Sequence, residues 1–138
     1  MSCRLLLPAL VAGALLAGAG CADSTDDRPV SFTYIQGAVF QQSCATAACH
    51  SGHFPIGGLG LDSVDAAYAG LVGAPCVDGE PPTDPLLNFV RPGDPQRSRL
   101  VHLLEGTDVP WRMPPDAPLP EPDIELVRNW ILDGAECN

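Results

Sequence analysis

Cys44-Ala45-Thr46-Ala47-Ala48-Cys49-His50 sets two thiols and, directly after the second, an imidazole into seven residues. Covalent haem attachment needs that order. Two sulfurs form thioethers to the haem vinyl groups, and the adjacent histidine is carried under the iron as a ligand. The usual form is C-x-x-C-H, whereas four residues separate the cysteines here. Vinyl positions are invariant, so Ala45 to Ala48 must bulge, and small side chains make a bulge sterically easy. Beyond the N-terminal leader the chain has a single methionine, Met113, in Arg112-Met113-Pro114-Pro115. A thioether on a proline-stiffened loop suits the other face of a His/Met-ligated iron. If His50 and Met113 both ligate, no coordination position stays open, and electron transfer rather than catalysis is expected.

Residues 1–20 read as an export signal. Arg4 supplies the positive end, Leu5 to Leu16 the apolar stretch, and Ala17-Gly18-Ala19-Gly20 the small-residue cleavage zone. The apolar run is too short for a membrane span. Cys21 follows at once, as in lipoproteins whose first mature thiol is acylated. Gly18 departs from the large aliphatic residue usual three places earlier, so simple secretion is the competing reading. Residues 21–31 then form a lipid anchor and an acidic tether, able to reach on the order of 35 Å when extended. The expected location is periplasmic or on the outer-membrane side.

The remainder, 32–138, is the size of one small domain. It contains no lysine, and the chain beyond the leader sets six arginines against 17 acidic groups. Such a balance excludes phosphate-seeking roles, so no nucleic-acid partner is expected. A protein partner steered by charge would present a basic surface, although the same charge also serves solubility. Four cysteines remain: Cys44, Cys49, Cys76 and Cys137. As plain cysteines they allow three disulfide pairings. Were haem to take the first two, Cys76 and Cys137 would be left to each other in an oxidising compartment.

Helical periodicity and caps predict four short helices joined by long Pro- and Gly-rich loops. Phe32, Ile35, Val39 and Phe40 mark a helix over 32–42. A second covers 63–72, with Asp62 or Ser63 as N-cap and Gly73 at its end. Asp94-Pro95 starts a third that Gly106 stops. Glu121-Pro122-Asp123 opens the last, with Ile124, Val127, Trp130 and Ile131 on one face and Gly134 as terminator. Prolines crowd 74–92, with five, and 110–122, with six. They argue against sheet there. Residues 76–87 read as a surface loop tied down at Cys76.

Taken in order, these pieces resemble the class I c-type cytochromes, and more closely the planctomycete-type cytochrome c domains and related deltaproteobacterial lipoproteins. The resemblance covers roughly 32–136. It is carried by Phe40 four residues before Cys44, by Cys49-His50-Ser51-Gly52, and by Gly57-Gly58-Leu59-Gly60-Leu61-Asp62-Ser63. Val90-Arg91-Pro92-Gly93-Asp94-Pro95, Met113-Pro114-Pro115 and the terminal Trp130-Ile131 with Gly134-Ala135 complete it. It implies a mainly α, cytochrome c-like fold and one covalent haem c on Cys44 and Cys49. His50 and Met113 would be the axial iron ligands, and an unidentified redox protein the partner. It also implies packing of the first helix on the last, with Phe40 near Trp130.

Competing readings attach to the same residues. A haem-free structural or binding lipoprotein of this fold would carry Cys44–Cys49 and Cys76–Cys137 disulfides. A five-coordinate haem sensor or enzyme would follow only if Met113 is not a ligand. Zinc on Cys44, Cys49, His50 and His53 would crowd its ligands unusually. His102, among apolar helix residues, reads as a satisfied helix histidine. Trp111 and Phe54 would wall a haem edge or fill the core, and Arg91 and Arg112 would pair with haem propionates or lie on the surface. No nucleophile-elbow or metalloprotease motif is present.

Overall fold

The computed structural model describes residues 26–80, 82, 89–108 and 110–138. The leader, Cys21 with the lipid expected on it, and most of 81–88 lie outside the described residues. The described chain is mainly helical. Its pairing of β type is limited, among those residues, to isolated bridges from Asp78 and Glu80 to Cys137.

Ser31 opens the first helix by accepting the Tyr34 N–H at 3.3 Å. The helix begins as α1 (Phe32–Ile35), widens into a π-helical stretch (Gln36–Phe40) and finishes as α2 (Gln41–Ser43). It therefore covers the expected span without being uniform. The widened stretch keeps Gln36 on the buried face beside Phe32, Ile35, Val39 and Phe40. There its side-chain amide donates to the Leu61 carbonyl at 3.1 Å. Such π-bulges recur at functional sites, and this one runs straight into Cys44. The Phe40 carbonyl closes the helix by accepting from both Cys44 and Ala45, at 2.8 and 2.9 Å.

α3 (Val64–Val72) is capped by the Ser63 hydroxyl and ends at Gly73, whose φ of 80° needs a residue without Cβ. The third predicted helix is divided. Asp94 caps only a 3-10 turn, Pro95–Arg97, and α4 (Arg99–Glu105) starts afresh after Ser98. Ser98 is the cause: fully buried and extended, its hydroxyl accepts the Arg91 N–H and donates to the Asp94 carbonyl, both at 2.8 Å. α5 (Glu121–Leu132) carries Pro122 in its first turn and buries Ile124, Val127, Trp130 and Ile131 as the periodicity predicts.

Phe32 is the hub of the core. Its ring meets Trp130 at 4.9 Å, Tyr68 edge-on at 5.1 Å and Phe40 at 6.3 Å. The first helix thus packs on the last through Phe32, while Phe40 stands one ring away. Each of these fully buried side chains contributes about 1.5–3 kcal/mol through removal from water. The chain end closes over this cluster. Tyr68 donates its hydroxyl to the Ala135 carbonyl at 2.7 Å, and the Trp130 indole donates to Glu136 at 2.8 Å. Asn138 accepts the otherwise unpaired N–H groups of Phe32 and Thr33 at the start of α1. Cys76 and Cys137, 61 residues apart in sequence, are joined as a disulfide with a Cα–Cα distance of 5.3 Å.

Part of the expected tether rests on the domain. Arg28 grips the Asp26 carboxylate and reaches Asp123 in the first turn of α5, so contact begins before Phe32. That guanidinium holds the Asp26 carboxyl below its usual range.

Candidate functional site

At the far end of the first helix the chain turns outward and returns. Thr46, Ala47 and Ala48 are exposed, while Cys44 and Cys49 are half-buried. Two bonds shape this bulge: Cys49 N–H to the Thr46 carbonyl at 2.9 Å and His50 N–H to the Cys44 carbonyl at 3.2 Å. The two extra residues therefore spill into solvent, and both sulfurs stay on the inner side.

His50 is held at three atoms. Its N–H is bonded to Cys44 as above, and its carbonyl accepts the Leu61 N–H at 2.7 Å. Its ring Nδ1 lies 3.0 Å from the Leu59 carbonyl. A carbonyl only accepts, so Nδ1 carries a proton; in a neutral ring that leaves the lone pair on Nε2, the tautomer of a metal-ligating imidazole oriented by its second nitrogen. The turn Ile56–Gly58 delivers Leu59, with Gly57 and Gly58 both at positive φ. Gly70 on α3 lets Leu59 approach, since a Cβ there would stand 2.5 Å from Leu59 Cδ1.

Met113 arrives from the opposite side of the sequence. Its N–H donates to the Leu103 carbonyl at 2.8 Å, which stitches the proline loop to α4. Arg112 folds back on that loop, facing the Pro114 and Pro115 carbonyls at 3.4 and 3.5 Å and packing on Gly106. The loop is thereby held without secondary structure of its own.

Cys44, Cys49, His50 and Met113 line one cavity of about 540 Å³, within the range of cofactor sites. Phe40, Leu61, Leu71, Leu100 and Leu104 make its wall apolar. Cys44 and Cys49 stand as free thiols in the structure. Among the described residues no three His, Cys, Asp or Glu side chains cluster as a metal set. His53 is exposed and away from the cavity.

Other expectations are redistributed. Trp111 lines the cavity but is 60% exposed, whereas Phe54, 97% exposed, belongs neither to the cavity nor to the core. Its loop projects because Gly52, whose N–H is tied to Asp62, turns it outward at positive φ. His102 has both ring nitrogens partnered, by Thr107 Oγ1 at 3.0 Å and the Gln96 carbonyl at 2.9 Å. Neither Arg91 nor Arg112 lines the cavity; the arginine that does is Arg99. Sequence reasoning missed it.

Burial, with the neighbouring Cys49 adding to it, pushes the Cys44 thiol up to about 11. The unloaded protein should therefore alkylate slowly at Cys44. At pH 8 its thiolate fraction is about 100-fold below that of an unperturbed thiol, and the rate should rise about tenfold per pH unit until about 11. Folding holds this proton where the unfolded chain loses it, so the associated stability is complete below about 9 and is lost as pH rises to about 11. Site-resolved mass spectrometry of iodoacetamide-treated protein measures it, and a Cys44 rate equal to that of a free thiol would contradict it.

No family model matches the chain, and no curated protein or solved structure is significantly similar to it.

Proposed function

We propose that this chain is an exported, mono-haem, c-type cytochrome-like electron carrier, anchored through lipid on Cys21. One observation carries the reading: two thiols, an imidazole oriented through its Nδ1 and the sole methionine of the described residues line a single apolar cavity.

In this reading Cys44 and Cys49 would hold haem c covalently, His50 and Met113 would ligate its iron, and the group would supply one reversible electron. The chain's own residues supply the rest. Leu59 fixes the His50 tautomer, and the Leu103–Met113 bond keeps the thioether at the cavity. Phe40, Leu100 and Leu104 exclude water, so the environment changes little between charge states. The acidic chain favours a redox partner with a basic surface.

The test is export from a host with a cytochrome c maturation system, followed by a denaturing gel stained for haem. Wild type should give a stained band, because thioethers outlast the axial bonds. Cys44→Ser with Cys49→Ser should give none. An unstained wild-type band would refute the reading.

A further inference from the structure

Two charged side chains reach the cavity, Arg99 and Asp116. Asp116 sits on the Met113 loop, where its Oδ1 accepts the Ala117 N–H at 3.0 Å. Arg99 is the first residue of α4, and its placement is specific. Its Nε donates to Asp108 Oδ2 at 2.7 Å, and its guanidinium carbon lies 5.8 Å from the centre of the Phe89 ring, itself part of the cavity wall. Phe89 is anchored in turn, donating its N–H to the Leu71 carbonyl at 3.0 Å and accepting from Leu100 at 2.9 Å. One edge of the guanidinium is thus taken by a carboxylate and its face by an aromatic ring. The Nη1 and Nη2 donors have no hydrogen-bond partner among the described residues.

We propose that Arg99 is the acid-recognition residue of this cavity, its free Nη edge receiving a carboxylate of the planar, amphiphilic ligand whose body the apolar wall covers. The inference rests on the haem reading above, and in that frame the carboxylate is a haem propionate. Asp108 and Phe89 hold the fork, so little side-chain freedom is lost when two parallel N–H···O bonds form. Ser43, Thr46 and Trp111 offer only neutral donors beside the Arg99 charge, and Asp116 repels an acid from the Met113 side. The ligand's acidic edge would therefore lie beside the start of α4, toward the surface hollow formed by Arg99, His102, Thr107 and Asp108. Neither Arg91 nor Arg112 lines the cavity.

Esterification separates the charge contact from the apolar fit. The full mature chain, made without haem maturation, is titrated with iron protoporphyrin IX and with its dimethyl ester, and binding is followed by quenching of tryptophan fluorescence. The free acid should bind about tenfold more tightly than the ester. Arg99→Gln should lose that preference while binding the ester as wild type does, which also reports an intact cavity. Arg99→Lys should restore it in part. Equal binding of acid and ester by wild type, or an unchanged preference in Arg99→Gln, would overturn the role of Arg99 and leave the haem reading standing. Failure of both porphyrins to bind would overturn the two together.

Discussion

Serine at both Cys76 and Cys137 should lower the unfolding free energy by about 4 kcal/mol. The disulfide closes a loop spanning 61 residues, and in the chain-entropy model the constraint acts mainly on the unfolded state. Against a total of about 5–15 kcal/mol for a domain, the loss is large. The native contacts point the same way. Cys137 is 2% exposed, its carbonyl accepts the Gly79 N–H at 2.7 Å, and the next residue, Asn138, satisfies the first amides of α1. Freeing this end loosens the start of the helix whose other end carries Cys44. Urea denaturation of the oxidised protein and the double variant measures the effect. Equal midpoints and slopes would show that the bond contributes nothing to the fold.

Met113→Ala should leave the fold intact and change the cofactor's properties. Met113 is tied by its backbone N–H to Leu103, a bond alanine keeps, and its side chain faces a cavity rather than the closed core. In the haem-loaded protein the variant should lose the sulfur-to-iron absorption near the red end of the oxidised spectrum. Its reduction potential should fall, because methionine ligation favours the reduced iron. Optical spectra and a redox titration check both. An unchanged spectrum and potential would remove Met113 from the iron and favour the five-coordinate alternative.

Features that depend on a few neighbouring residues were legible in the chain. Ser63 and Gly73 bound α3, Gly106 ends α4 and Pro122 opens α5, because caps and stops act within one turn. The apolar face of α5 was equally plain. The division at Ser98 was not, since it depends on a hydroxyl bridging Arg91 and Asp94 once the chain has folded. The π-helical stretch likewise answers to a carbonyl 25 residues away, that of Leu61. Helix spacing put Phe32 and Phe40 on one face without showing which would meet Trp130. At the site, Cys44, Cys49, His50 and Met113 could be named from their types and order. Arg99 could not, because proline loops brought Arg91 and Arg112 nearer the motifs in sequence but not in space.

The most direct measurement is the pyridine haemochrome spectrum of the purified wild-type protein, exported from a maturation-competent host, with haem quantified per chain. One haem per chain, resistant to acid-acetone extraction and with the blue-shifted band of a haem whose two vinyl groups are saturated, is the predicted result. A colourless protein, or haem that extracts freely, would contradict the account.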